Sequence, residues 1–194
     1  MFHTFSRFQA SLSTPQWAAL AVLGLLFNLW ATDVLNAAYA ASGFPVPYWE
    51  AQLSFDHLKL KAWYQGLLDQ GGIGPYLHAQ TVDFLFIASV LVLHMAALVL
   101  VSRMHPAASR GRSMMVWAAL LSALAPLFDA LENGVSFFML ADPLSFAPGL
   151  AMLYSTLAAA KFAMFTFAYV AVPVGTVWAL WSRLSRHRNR LRPV

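Results

Sequence analysis

The sequence predicts an all-α polytopic membrane protein, with four transmembrane helices in one bundle and a short interfacial helix between the first two. Three observations predict it. The 194 residues are 60% hydrophobic and only 10% charged, where a soluble domain carries about a quarter. Four apolar stretches, near residues 16–40, 78–102, 114–140 and 150–181, reach the roughly 20 residues needed to cross a bilayer. The arginines fall in alternate connections between them. Each span must be helical, because an isolated strand leaves its backbone unsatisfied in lipid, and the unbroken apolar runs lack the alternation of a β-barrel. Residues 1–194 therefore read as a single membrane domain.

Span one follows Pro15, which suits the first turn of a helix. Ala38-Tyr39-Ala40 has the form of a signal-peptidase site, but the apolar run before it is too long and contains Asp33, so the span is expected to be retained. Ser42 to Pro47 ends it and opens an external segment, 41–77. Within that segment Ser54-Phe55-Asp56 predicts a helix start, and Gly71-Gly72 with Gly74-Pro75 a stop. Charges around most of the intervening wheel favour a helix lying at the interface or capping the bundle over another span. In span three, Pro126 is expected to free the carbonyl of Ser122 and bend the helix.

Arg7 precedes span one, Arg103, Arg110 and Arg112 lie between spans two and three, and Arg183, Arg186, Arg188, Arg190 and Arg192 fall in the tail, 182–194. Those segments contain no acid, whereas 41–77 sets Glu50, Asp56 and Asp69 beside Lys59 and Lys61, and Asp142 follows span three. The positive-inside rule places both termini and the middle loop in the cytoplasm, the arrangement of a multi-pass protein of a bacterial inner membrane. Trp17, Trp117, Trp178 and Trp181 are expected at the cytoplasmic interface, and Tyr39, Tyr48, Trp49, Tyr76 and Tyr154 at the other. The basic excess reads as contact with anionic membrane lipids, not as a nucleic-acid surface. With no cysteine there is neither a disulfide framework nor thiolate chemistry.

The informative residues are those a bilayer disfavours. Asp33, Asp83, Asp129, Glu132 and Lys161 all fall inside spans. On insertion scales each costs roughly 2.5–3.5 kcal/mol at mid-bilayer. Counted from the cytoplasmic tryptophans at about 1.5 Å per residue, Asp33 lies about 24 Å up, Asp129 about 18 Å, Glu132 about 22 Å and Lys161 about 25 Å. Asp83 lies near the external start of span two. Five charges from four helices are thus expected at one level in the outer half, with a surplus of three carboxylates over one lysine.

Helical spacing supports a shared interior. Asp129, Glu132, Asn133 and Ser136 make an i, i+3, i+4, i+7 stripe, and Tyr154, Ala158, Lys161 and Phe165 another. Gln80, Asp83 and His94 share a side of span two, while Asn28, Thr32, Asp33, Asn36 and Tyr39 cover about 140° of span one. Carboxylates with His78 could in principle hold a divalent cation, but no Glu-x-x-His pair occurs. Only His94 lies deep in a span, which argues against bis-histidine haem. No nucleophile or phosphate-loop motif is present, so the expectation is no metal and no cofactor.

Three segments, GPYLHAQTVDFLF, PLFDALENGVSF and AAAKF, carry a resemblance to a family of bacterial four-helix membrane proteins without an assigned activity. That family places an aspartate followed by aromatics in span two, Asp-x-x-Glu-Asn in span three and a lysine in span four. The resemblance covers about residues 16–180 and singles out Asp83, Asp129, Glu132, Asn133 and Lys161. In helix number, cytoplasmic termini, a long first external loop and acids in the outer part of the bundle, the chain also resembles the EXPERA group of sterol isomerases and ligand-binding proteins. That likeness is architectural and carries no catalytic position across.

The expected function is a pocket for a hydrophobic or cationic small molecule. Asp129, Glu132, Asp83 and Lys161 would carry proton transfer in it, as in isomerisation of a lipid or isoprenoid. Asp33, Asn36, Asn133, Ser136, Tyr154, His94 and His78 would line the ligand. The alternatives are a small proton- or cation-coupled transporter, acting as a homo-oligomer, and an accessory subunit whose buried charges only fix packing.

Overall fold

The computed structural model describes residues 2–190, excepting the side-chain surroundings of 2–4, 6 and 186–190. Arg192, and the side chains of Arg186, Arg188 and Arg190, therefore lie outside the described residues. Among the described residues eight helices follow in order: α1 (Phe2–Ser11), α2 (Thr14–Ala41), α3 (Tyr48–Gln52), α4 (His57–Asp69), α5 (Ile73–Met104), α6 (Arg110–Ser122), α7 (Leu124–Ala141) and α8 (Pro148–Arg190). Among the described residues, four units are long and apolar enough to cross a membrane: α2, α5, α6 with α7, and α8 as far as Ser185. The chain is a multi-pass, all-helical membrane protein.

Local chemistry sets the ends. Ser13 Oγ accepts from the Gln16 N–H, and the Gln16 side chain accepts from the Ser13 N–H at 2.7 Å, a capping box that starts α2 around Pro15. The third span breaks at Ala123, three residues before Pro126, because the proline ring displaces the carbonyl four residues earlier. Gly74 and Pro75 belong to the first turn of α5 and not to a stop, since Pro lacks only an N–H that this turn would leave unpaired.

α5 is the central helix, packing on α2, α6, α7 and α8. α7 and α8 pair closely, while α2 lies along α5 alone and barely touches α8. Gly24 makes the α2–α5 approach possible, because a Cβ there would sit 3.1 Å from the Leu93 N and Cα atoms.

The basic end of the bundle, where the arginines lie, has an apolar core of Leu98, Val99, Val101, Met115, Val116, Ala118 and Ala119. α1 folds back over this end. Trp17, expected at the lipid interface, is instead buried beneath α1, its indole N–H donating to the Gln9 carbonyl at 3.1 Å. Arg103 donates to the carbonyls of Gln9 and Leu12 and to Thr14 Oγ1, and Arg183 to the carbonyl of Met104, so two arginines clamp helix ends.

The opposite end is capped by α4. Asp56 starts that helix by accepting from the N–H groups of Lys59 at 3.2 Å and Leu58 at 2.9 Å, bonds that hold its carboxyl below the ordinary range. Leu60, Tyr64 and Leu67, at i, i+4, i+7, are fully buried against the bundle. They join Tyr76, Phe146 and Tyr154 in an aromatic cluster, with Phe44 stacked on Tyr76 at 4.7 Å. Tyr76 and Tyr154, expected at the interface, are therefore interior residues, because α4 covers them.

Candidate functional site

The stripe spacing of α7 turns Asp129, Glu132, Asn133 and Ser136 inward, and all four are buried. On α8, Tyr154, Ala158, Lys161 and Phe165 face them; on α5, Gln80, Asp83 and His94 are buried too. Ala158, fully buried one turn from Lys161, helps α7 and α8 to approach.

Lys161 Nζ donates to Asp129 Oδ1 at 2.7 Å and is also paired with Glu132 Oε2. Asp83 Oδ2 accepts from Asn133 Nδ2 at 2.7 Å. Three carboxyl groups from α5 and α7 thus surround one ammonium from α8. Charges removed from water need partners, so the two groups left without a cation are places for a proton or for a cationic ligand. Above Glu132 the Tyr64 hydroxyl of α4 turns toward Ser136 and Glu132, and burial pushes this phenol well above its ordinary value.

A cavity of about 330 Å³ adjoins the cluster. Asp83, Asp129 and Lys161 form its charged wall, Gln52 and Gln80 add amides, and Phe86, Phe162, Phe165 and Tyr169 make an aromatic wall. Thr32, Leu35, Asn36 and Tyr39 of α2 close the remaining side. Because α2 and α8 flank the cavity without packing on each other, it opens sideways between them, and Tyr169 at that edge is 60% exposed. A larger groove, about 660 Å³, runs between α6 and α8 along Met114, Trp117, Phe167 and Val174, but it carries no ionisable group.

Two sequence expectations change. Asp33 does not join the cluster: it is exposed on the outward side of α2, and the surplus of carboxyl groups around Lys161 is two and not three. His78 is exposed in the first turns of α5 and does not line the cavity. Asn36 is exposed yet lies at the cavity rim. Glu132, Asn133, Ser136 and Tyr154 stand behind the charged wall and not on it. His94 lies beyond the aromatic wall, edge-on to Tyr169 with 5.1 Å between ring centroids, and neither ring nitrogen has a hydrogen-bond partner among the described residues.

Sequence reasoning placed Phe165 on the Lys161 stripe but missed Tyr64 and the rest of the aromatic wall. Tyr169 continues that stripe at i+8, a signal that was available. Nothing in the sequence assigned α4 to the site. Among the described residues no group of three or more His, Asp and Glu side chains is arranged to hold a metal ion. No family model, curated protein or solved structure matches the chain.

Proposed function

We propose that the chain binds a lipid-like molecule through the side opening between α2 and α8 and moves a proton on it at the charged wall. One observation carries this reading: an otherwise aromatic cavity has Asp83, Asp129 and Lys161 on one wall, with more carboxyl groups than cations behind it. Such a wall receives a cationic head group, or the positive charge that develops when an alkene is protonated.

The concrete chemistry is a double-bond shift in an isoprenoid or related lipid. One of Asp83 and Asp129 gives its proton to one alkene carbon, which leaves the positive charge on the other, and the second carboxylate removes a proton from the carbon beyond that charge, so the double bond moves by one position. The site ends with its proton count unchanged. Lys161 holds Asp129 as the ionised member, Asn133 orients Asp83, and Glu132 acts through Lys161 as a positioning residue. The aromatic faces stabilise the intermediate cation.

The test is mass spectrometry of lipids retained after gentle purification, followed by incubation of the protein with the retained lipid in deuterated water. The expected result is a retained unsaturated lipid that takes up deuterium, with uptake lost in Asp83→Asn and Asp129→Asn. A clean protein with no retained lipid, or uptake in either variant equal to that of the parent, overturns the reading.

Transport by a proton- or cation-coupled carrier is the second reading, favoured by the surplus of carboxyl groups. It ranks lower because a path would have to cross the packed core of Leu98, Val99, Met115 and Val116. Cation- or pH-driven uptake into proteoliposomes would reverse that order. The arginine distribution supports a bacterial inner membrane with both termini cytoplasmic, which reporter fusions at each end would check.

A further inference from the structure

Asp33 is the one in-span acid that the site does not absorb, and its position on α2 is specific. Val22, Leu26, Leu29, Asp33, Ala37 and Ala40 recur at spacings of three and four residues, and all six are exposed. Gly24 and Ala31, the residues buried on the α5 side, lie about 170° round the wheel from that stripe at 100° per residue. Asp33 therefore points directly away from the bundle.

It also lies within the apolar part of the helix. Ala41 ends α2 eight residues later, about 12 Å along the axis. The 28 residues of α2 span about 42 Å, so centring them on a hydrocarbon layer about 30 Å thick leaves Asp33 about 6 Å inside the boundary. A carboxylate at that depth, with lipid on every side, needs a covering group. The rest of the stripe suits a helix as cover, with aliphatic side chains below Asp33 and the small residues Ala37 and Ala40 above it allowing close approach.

Charge decides which helix. A second copy on this face would set Asp33 against Asp33, and the only lysine or arginine this chain carries deep in a span, Lys161, is already buried between Asp129 and Glu132, while His94 is buried and His78 sits in the first turns of α5. The other basic side chains lie in the segment 41–77, in span ends or beyond them. We propose that the outward face of α2 is a docking surface for a transmembrane helix of a different protein, one that carries a lysine or arginine at the level of Asp33.

The test uses the full chain in lipid vesicles with two fluorescent probe helices. Both are leucine-alanine transmembrane peptides; one has a single lysine at the depth of Asp33 and the other has leucine there. Energy transfer should report association with the lysine helix about tenfold tighter than with the leucine helix, the size of one interhelical polar contact. The preference should vanish in Asp33→Asn, persist in Asp33→Glu, and leave the thermal midpoint of both variants within error of the parent. Equal binding of the two probes, or a preference that survives in Asp33→Asn, overturns the proposal. So does self-association of the labelled chain stronger than its association with the lysine helix, which would make a second copy the cover.

Discussion

The two halves of the bundle are built from the same helices and held together by different forces. Near α4, the interior consists of Asp83, Asp129, Glu132, Asn133, Ser136 and Lys161, arranged as ion pairs and hydrogen bonds under an aromatic cap. Near the arginines, the same α5 and α8, with α6, enclose a mainly apolar core that includes Val99, Val116 and Ala119, and the buried Ser102 and His105 are bonded to the carbonyls of Val99 and Gly175. α5 passes from Asp83 to Leu98 in 15 residues, about 22 Å. Dispersion packing tolerates conservative exchange, because any side chain of similar volume restores the contacts. A buried ion cluster does not, since removal of one member leaves another unpaired. The difference puts the residues least tolerant of exchange at the capped end and the tolerant ones at the basic end.

Breaking the polar half should give the largest effect. Lys161→Met removes the only cation from among three carboxyl groups and should cost about 3–5 kcal/mol, seen as a steep fall in thermal midpoint in detergent. Adding Asp129→Asn and Glu132→Gln to that variant should recover most of the loss, because the partners are then neutral. A single Lys161→Met protein as stable as the parent would mean that the cluster is not held by charge.

The next effect comes from the seam that sets the cavity wall. Gly24→Val would bring side-chain atoms against the Leu93 backbone, where a Cβ alone would already lie 3.1 Å from the Leu93 N and Cα. Overpacking of that kind costs about 1–3 kcal/mol. It should also weaken ligand retention, because Thr32, Asn36 and Tyr39 on the same helix form one side of the cavity. Retention unchanged at reduced stability would separate α2 from the site.

A smaller effect, of opposite sign, locates the border between the halves. His94 is buried with two unpartnered ring nitrogens, so His94→Leu should be neutral or stabilising by up to about 2 kcal/mol. Ligand retention should not change, because His94 lies outside the cavity lining. A loss of retention would extend the site past Phe165 into the apolar half.

Much of this division was legible in the sequence, for identifiable reasons. The hydropathy of the spans and the arginine segregation depend only on the bilayer, so the four-helix architecture followed from them. The stripes of α7 and α8 were legible because three- and four-residue spacing fixes a face whatever the neighbours are. Asp33 was misplaced because the polar arc of α2 was taken as its buried face. The face that packs on α5 is marked instead by Gly24 and Ala31, since in lipid close approach depends on small residues. Tyr64 escaped because α4 carries charges around most of its wheel, and only the tertiary fold decides that Leu60, Tyr64 and Leu67 face the bundle. Trp17 followed the interfacial rule until α1 covered it.

A comparably small change in stability should come from Glu132→Gln, and it separates a working cluster from a merely cohesive one. Lys161 keeps its 2.7 Å bond to Asp129 in this variant, and an amide fills the volume of the carboxylate, so no charge is newly orphaned. The expected cost is about 1 kcal/mol, the worth of one buried polar contact. If the cluster moves protons, deuterium uptake by the retained lipid should fall at least tenfold, because Lys161 then answers to a single carboxylate and the balance of charge at the cavity wall shifts. If the cluster only locks the helices together, stability should instead fall as far as in Lys161→Met, with any residual uptake unchanged per folded molecule. Thermal midpoint and uptake measured on the same preparation distinguish the two, since the first account moves uptake far more than the midpoint and the second moves the midpoint with uptake unchanged.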